Sequence, residues 1–389
     1  MKKVLVLGST GSIGKNTLEV IKQNKNKFEV VGLTTKGNVE LLKKQMEEFN
    51  VKYGCIVEEK YKNLKFVNKK IFYSNEGLLQ IIDETKPDIL VNAIVGIDGL
   101  NPLLYAIKQK VKNIALANKE SMVVAGHIVM YEIKKNKINL FPIDSEHSAI
   151  WQCLKNEDIK NVEQITITAS GGPLFKKSFS KKTPDVIISH PVWKMGRKIS
   201  VDSATLINKG FEYIEARYLF DVTYEKINIV IHPQVLIHSF VKFIDGNILA
   251  CLFVPDMRIP ISYALGCGKE RFENKIKKFD LFLLNKIEFY KPDFKKFPLL
   301  KLLMDCVKTS YESYPVVFNA ANEILVEKFI NREIKFETIY KILNKIVKEH
   351  KPIHVRTIEE VFEIDHETRR KVYKHISCGQ NNLFLKNRG

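Results

Sequence analysis

The chain has no apolar run approaching the roughly 18–20 residues that span a bilayer, so it offers no transmembrane helix. Its six cysteines, Cys55, Cys153, Cys251, Cys267, Cys306 and Cys378, form no C-x-x-C pair and match no zinc spacing. They read as reduced, mostly buried thiols of a reducing compartment, not as a disulfide framework. No internal repeat or low-complexity tract interrupts the 389 residues, a length that accommodates two or three domains with sizeable cores. Acidic residues are the scarcer charge, 44 against 62 Lys and Arg, which leaves a net charge of +18. The excess lysines are scattered along the chain, often beside Asn and Ile, and no basic stretch carries interleaved aromatics or a nucleic-acid reader motif. They read as a solvated surface whose positive field speeds the arrival of anionic, phosphorylated ligands. Neither a nucleic-acid nor a membrane partner is expected.

Met1-Lys2-Lys3 ahead of Val4-Leu5-Val6-Leu7 has the charge order of a signal peptide, but the apolar run stops after four residues at Gly8. It is read as a first strand. No Arg/Ser-rich leader is present either, and the expectation is a cytoplasmic protein. Short apolar runs at 3–7, 28–34, 53–57, 89–93, 113–116 and 138–141 alternate with amphipathic segments at 13–24, 39–49, 77–84, 99–110 and 127–135. That alternation predicts an α/β fold with a Rossmann-like, doubly wound parallel sheet over residues 1–145. From 146 to 285 the strand-like runs (164–168, 227–231, 235–241, 248–254) lie closer together. Asp245-Gly246-Asn247 suggests a hairpin, and one long helix is expected over 204–220. This predicts an α+β catalytic domain. A Pro-bearing linker at 286–298 leads to a C-terminal α-helical bundle over 299–389, with helices at 299–307, 316–329, 336–348 and 357–373.

Several segments carry chemistry. Gly8-Ser9-Thr10-Gly11-Ser12-Ile13-Gly14 follows a strand and opens a helix, where glycines allow a tight turn and a helix N-terminus can meet a pyrophosphate. An NAD site places Asp or Glu after the second strand; here stand Lys36, Gly37 and Asn38, which favour NADPH. Asp144 and Glu146 close the sixth run. In extended chain they would leave the same side, and the pair reads either as a solvated turn or, since two like charges so placed repel unless a cation sits between them, as ligands of Mg²⁺ or Mn²⁺, ions suited to hard oxygen donors. Asn118, Lys119 and Glu120 read either as a helix start with a charged first turn or as a site, with Asn118 and Glu120 candidates for contact with the nicotinamide or its ribose and Lys119 for an anionic substrate oxygen. Ser203, Asn208 and Lys209 offer donors suited to a phosphate, and Glu212 shares a helix face with Asn208. Trp193, one of two tryptophans, lies on a Gly/Pro-bounded loop and is read either as part of a lid or as a core residue. Ser170-Gly171-Gly172 reads as a phosphate nest or a turn.

Taken together, GSTGSIG, ALANKES, PIDSEHSAI, TASGGP, SHPVWKMGRKISVDSATLINKGFEYIEA, IHPQVLIHS, PDMRIPISYAL and FNAANE resemble the 1-deoxy-D-xylulose 5-phosphate reductoisomerase family of the non-mevalonate isoprenoid precursor pathway. They run in the expected order from residue 3 to about residue 330. The resemblance implies that Asp144, Glu146 and Glu212 ligate a divalent metal, with Co²⁺ a further candidate beside Mg²⁺ and Mn²⁺. It implies that Lys119 and Ser145 contact the carbonyl and hydroxyl end of the substrate, and that Ser170, His190, Ser203, Asn208 and Lys209 hold its phosphate. Trp193 and Met195 would belong to a flexible lid. Thr10, Gly11, Ser12, Ile13, Asn118, Glu120 and Gly196 would contact NADPH. A homodimer formed through the middle domain is also implied.

Two departures stand out. The family usually has Gly, then Lys or Arg, then Asn at the 2′-phosphate position, and here Lys36 precedes Gly37. Tyr311-Glu312-Ser313-Tyr314 stands where a Gly-rich turn is common. An NADP-dependent sugar-phosphate dehydrogenase without rearrangement is a second enzyme reading. A nucleotide-sensing regulator that binds nucleic acid is a non-enzymatic one.

Overall fold

The structure, a computed structural model, describes residues 1–176, 182–189, 196–280, 282, 284 and 286–386, with side chains to residue 378. The first part runs β1 (Lys2–Leu7), α1 (Ser12–Gln23), β2 (Phe28–Thr35), α2 (Val39–Glu48), β3 (Tyr53–Ile56), β4 (Lys70–Tyr73), α3 (Ser74–Thr85) and β5 (Ile89–Asn92). It continues with α4 (Leu100–Lys108), β6 (Asn113–Leu116), α5 (Lys119–Asn136), β7 (Asn139–Pro142) and α6 (Ser145–Cys153). Then follow β8 (Val162–Ala169), α7 (Pro184–Ile188), α8 (Arg197–Ala204), α9 (Ile207–Leu219), β9 (Ile227–Ile231), β10 (Ile237–Phe243), β11 (Ile248–Leu252) and α10 (Arg258–Leu265). The last helices are α11 (Pro298–Val307), α12 (Ser313–Ile330), α13 (Phe336–Glu349) and α14 (Ile358–Lys386).

The chain forms two compact units, neither continuous in sequence. One takes in Met1–Ser121, Val129–Glu163 and Leu236–Leu284; the other takes in Met122–Ile128, Gln164–Val235 and the chain beyond Leu284.

The first unit is built on a seven-stranded sheet in the order β4-β3-β2-β1-β5-β6-β7, with every pairing parallel. Strands buried on both faces read as continuous apolar runs, as Val4, Leu5, Val6 and Leu7 do, all fully buried. The order reverses at β1, between β2 and β5, so the crevice beyond the carboxyl end of β1 is the expected ligand position of an open α/β sheet. The core packs Val4, Val6 and Val91 against Leu18 and Ile21 of α1 and against Ile261, Ala264 and Leu265 of α10. β10 and β11 pair antiparallel around Gly246, whose φ of +90° meets the turn's need for a left-handed residue. The hairpin expected at Asp245-Gly246-Asn247 is therefore present.

In the second unit β8 and β9 run parallel. Ala169, Leu206, Ile231, Phe297 and Leu300 form a shared core. The helix expected over 204–220 is α9, which begins three residues later, at Ile207. Leu206 holds φ +58° between α8 and α9, a conformation that costs a branched residue on the order of 1–2 kcal/mol. Burial of its side chain, 1% exposed in that core, offsets the cost by about 1.5–3 kcal/mol. The break restarts the helix at Ile207 and so fixes which way Asn208, Lys209 and Glu212 face. Helices α11–α14 give the helical C-terminal region that the periodicity predicts.

Candidate functional site

The β1–α1 turn is set by backbone contacts. Gly8 has φ +76°, and a Cβ there would lie 2.7 Å from the Ala93 carbonyl oxygen. A Cβ on Gly14 would lie 2.4 Å from the Gly8 oxygen and 2.5 Å from Ser9 Cα. Gly11 is the N-cap of α1, and no side chain caps this helix. The turn is tied to β2: Gly8 N donates to Thr34 Oγ1 at 2.9 Å, Ser9 N to the Thr34 carbonyl at 2.9 Å, and Thr10 Oγ1 lies 2.7 Å from Thr35 Oγ1. Ser12 and Ile13 open the helix, so their amides lie at the positive end of its dipole, a setting made for a pyrophosphate.

At the end of β2, Lys36 is 75% exposed and its ammonium lies 3.9 Å from Asp98 Oδ2. Asn38 caps α2, its Oδ1 accepting from Leu41 N at 3.3 Å. The sequence shows no carboxylate here, yet the fold supplies one from the next strand. A Cβ on Gly37 would lie 2.7 Å from Glu58 Oε2. Glu58 follows β3, and only the parallel pairing of β2 with β3 brings it here, so no local motif announces it.

Asn118 caps α5 and uses its side chain on the protein. Its Nδ2 donates to the carbonyls of Ile94 and Gly96, each at 2.8 Å, and its Oδ1 accepts from Ser121 N at 3.1 Å. It thereby anchors the loop after β5 to the start of α5. Glu120 is buried beside it, with Oε2 3.3 Å from Asn118 Nδ2.

The extended geometry expected for Asp144 and Glu146 is not what forms. β7 ends at Pro142, Asp144 is the N-cap of α6, and Glu146 lies in that helix's first turn. Asp144 Oδ1 accepts from Glu146 N at 3.3 Å. Asp is a favoured N-cap because its side chain satisfies amides that the helix leaves unpaired. The missed signal is Asp-x-Glu followed by apolar Ala149, Ile150 and Cys153 at helical spacing. The consequence is a carboxylate pair stabilised by a helix N-terminus.

Lys119 Nζ lies 2.8 Å from Asp144 Oδ2, with the two side chains 12% and 11% exposed. Ser145 Oγ donates to Glu146 Oε2 at 2.7 Å, and Ser239 Oγ to the Glu146 carbonyl at 3.0 Å. His147 Nδ1 is 3.4 Å from Asp144 Oδ1. Such a buried oxygen donor set, with a lysine beside it, suits a hard divalent cation and an anionic oxygen together.

In the second unit, Glu212 is 1% exposed on α9. Its Oε1 accepts from Asn208 Nδ2 at 2.6 Å and its Oε2 from Lys209 Nζ at 2.6 Å. The helical spacing of three and four that predicts a shared face thus becomes direct contact. A Cβ on Gly172 (φ +64°) would lie 2.6 Å from the Ser203 carbonyl oxygen, and Gly172 N donates to Ser170 Oγ at 3.1 Å. The 170–172 turn therefore lies against the end of α8, which brings Ser170 and Ser203 into one region. Asp202, 1% exposed, accepts from Lys198 Nζ at 2.9 Å and from Asn322 Nδ2 at 2.8 Å, so α12 braces α8. Gly196 is the N-cap of α8. His190, Trp193 and Met195 lie outside the described residues.

Burial pushes the thiols of Cys55 and Cys153 up to about 12 and those of Cys251 and Cys306 up to about 11, which disfavours the thiolate form at these four positions. No helix among the described residues is long and apolar enough to cross a membrane.

Residues 4–126 match the family model described as 1-deoxy-D-xylulose 5-phosphate reductoisomerase. Residues 140–220 and 252–371 match the models of that enzyme's C-terminal domains. The chain is 46% identical over 382 residues to the 1-deoxy-D-xylulose 5-phosphate reductoisomerase of Thermoanaerobacter pseudethanolicus, covering 96% of this chain and 99% of that one. It is 44% identical over 382 residues to that of Thermodesulfovibrio yellowstonii, covering 97% and 100%. Among solved structures, the Zymomonas mobilis enzyme in complex with NADPH matches with a TM-score of 0.88 and 38% identity, over 96% of this chain and 99% of that one. A DOX-P reductoisomerase in complex with NADPH, fosmidomycin and magnesium matches with a TM-score of 0.90 and 34% identity, over 98% and 99%.

Proposed function

The chain belongs to the 1-deoxy-D-xylulose 5-phosphate reductoisomerase family, and from that premise we propose how its residues share the reaction. It is an NADPH- and divalent-metal-dependent enzyme that rearranges 1-deoxy-D-xylulose 5-phosphate to a branched aldehyde and reduces it to 2-C-methyl-D-erythritol 4-phosphate.

Asp144, Glu146 and Glu212 hold the cation, Mg²⁺ or Mn²⁺. All three are carboxylates in largely buried surroundings, the donor chemistry that a hard ion requires. When bound, the ion supplies Lewis-acid stabilisation of charge developing on the substrate's carbonyl and hydroxyl oxygens. Lys119, held by Asp144, presents an ammonium to the same end of the substrate, and Ser145 a hydroxyl. Ser170, His190, Ser203, Asn208 and Lys209 hold the phosphate, whose distance from the reacting carbons lets binding energy serve orientation. Thr10, Gly11, Ser12, Ile13, Asn118, Glu120 and Gly196 hold NADPH, with Lys36, Gly37 and Asn38 at its 2′-phosphate. The observation that carries this assignment is Glu212: a buried carboxylate with both oxygens oriented by Asn208 and Lys209 from its own helix.

The test is NADPH oxidation with 1-deoxy-D-xylulose 5-phosphate, with and without chelator. Turnover is expected to stop with chelator and return with Mg²⁺ or Mn²⁺, and carbon NMR should show a branched product. An unbranched product, or activity indifferent to chelator, would favour the plain dehydrogenase.

A homodimer is part of the same reading. β11 ends its sheet and exposes Ile248, Leu249 and Leu252, with Ile244 exposed beside them. An apolar edge strand in water invites pairing with another chain. Ile248→Lys with Leu249→Lys should convert the dimer to monomer by light scattering; a variant that stays dimeric would place the interface elsewhere. A cytoplasmic location fits the six unpaired thiols, which a reducing compartment preserves.

A further inference from the structure

The end of β2 carries more charge than its own residues supply. β2 and β3 are parallel neighbours with Thr35 opposite Ile56. The ladder runs on past both strand ends, Val57 N donating to the Thr35 carbonyl at 3.0 Å and Glu58 N to the Lys36 carbonyl at 2.9 Å. Glu58 is thereby fixed beside Gly37. Both its carboxylate oxygens, at 2.7 and 3.1 Å, fall within contact of the place a Cβ on residue 37 would take. The missing side chain is what leaves room for the carboxylate. Lys60 Nζ lies 2.6 Å from Glu58 Oε2, and Lys36 Nζ lies 3.9 Å from Asp98 Oδ2. Each lysine at this corner therefore already has a carboxylate partner, and each of the two pairs is formally neutral.

We propose that Glu58 is a specificity-determining residue for the hydride donor: it opposes the 2′-phosphate of NADPH, accepts a hydrogen bond from the ribose hydroxyl of NADH, and so narrows the preference that Lys36 confers. This rests on the reading of residues 36–38 as the 2′-phosphate site. An NAD site takes its acidic residue from the end of the second strand; in this chain the acid arrives from the third, in the space Gly37 leaves open. A dianionic 2′-phosphate entering the corner meets Lys36 and Lys60 as attractive partners and Glu58 and Asp98 as repulsive ones. A 2′-hydroxyl is uncharged, is not repelled, and can donate to Glu58. Because the group is partly solvated, one charge is worth only a modest factor, and salt reduces it further.

The experiment measures dissociation constants for NADPH and for NADH by nicotinamide fluorescence, together with kcat/KM for each, in the full-length protein. Glu58→Gln should raise the NADPH-to-NADH ratio of kcat/KM on the order of 3–10-fold at low salt, with the dissociation constant falling for NADPH and rising for NADH. Lys60→Met, which removes the cation paired with Glu58, should move the ratio the other way. Lys36→Ala should lower it, raising the KM for NADPH far more than that for NADH. If Lys36→Ala lowers the ratio while Glu58→Gln leaves it unchanged, the role of Glu58 is overturned and the site reading stands. If Lys36→Ala affects both nucleotides equally, the site reading itself fails and takes this proposal with it.

Discussion

Glu212→Gln is expected to abolish metal-dependent turnover, by on the order of 10³-fold or more, while the dissociation constant for NADPH stays within about twofold of wild type. The size follows from what a catalytic cation contributes, several kcal/mol of charge stabilisation, each 1.4 kcal/mol being a factor of about ten. The substitution keeps the shape of the side chain and removes one negative charge. It also leaves the Lys209 ammonium, 9% exposed, facing a neutral amide. A buried charge that loses its counter-ion costs about 3–5 kcal/mol at most, so some fall in the melting temperature is expected as well. Measuring NADPH affinity alongside turnover separates the two effects, because a globally misfolded protein would lose both. Wild-type metal dependence in Glu212→Gln would remove this residue from the ligand set.

Gly14→Ala should have the largest effect on cofactor binding. The added methyl would meet the Gly8 carbonyl oxygen at 2.4 Å and Ser9 Cα at 2.5 Å, all backbone with no flexible end to yield. The turn must open, and overpacking of this kind costs about 1–3 kcal/mol or more. NADPH affinity should fall about 100-fold, since the amides of α1 no longer point together at the pyrophosphate. Gly11→Ala is the internal control. It adds the same methyl in the same loop, but its one close contact is the Gly8 oxygen at 3.3 Å, and a loss of a few-fold at most is expected. Equal effects from the two substitutions would mean that space at Gly14 is not what shapes the turn.

How far the sequence foretells this protein depends on how local each signal is. The strands of the first sheet are legible because Val4–Leu7 and Ile89–Val91 are continuous apolar runs bounded by helices. β4 escapes notice: Lys70–Tyr73 is a short edge strand, less buried and without alternation. The long helix of the second unit is legible to within three residues of its start, whereas the break at Leu206 that sets this start carries no Gly or Pro and is explained by the packing of Leu206 among Ala169, Ile231 and Phe297. Asp144 and Glu146 are legible as a pair but not as a helix start, because Pro142 and Ile143 prolong the look of a strand. Glu58 is invisible along the chain, since its place beside Gly37 depends on strand pairing. The two compact units each gather separated stretches, such as Leu236–Leu284 with the N-terminal sheet, which linear reading does not reveal.

The most direct measurement is a crystal structure with Mn²⁺ and NADPH bound, with the ion located by its anomalous scattering. One ion is expected, with an oxygen from each of Asp144, Glu146 and Glu212 about 2.0–2.3 Å away, typical of hard divalent cations bound by oxygen. An ion held without Glu212, or one held away from Asp144 and Glu146, would contradict the account.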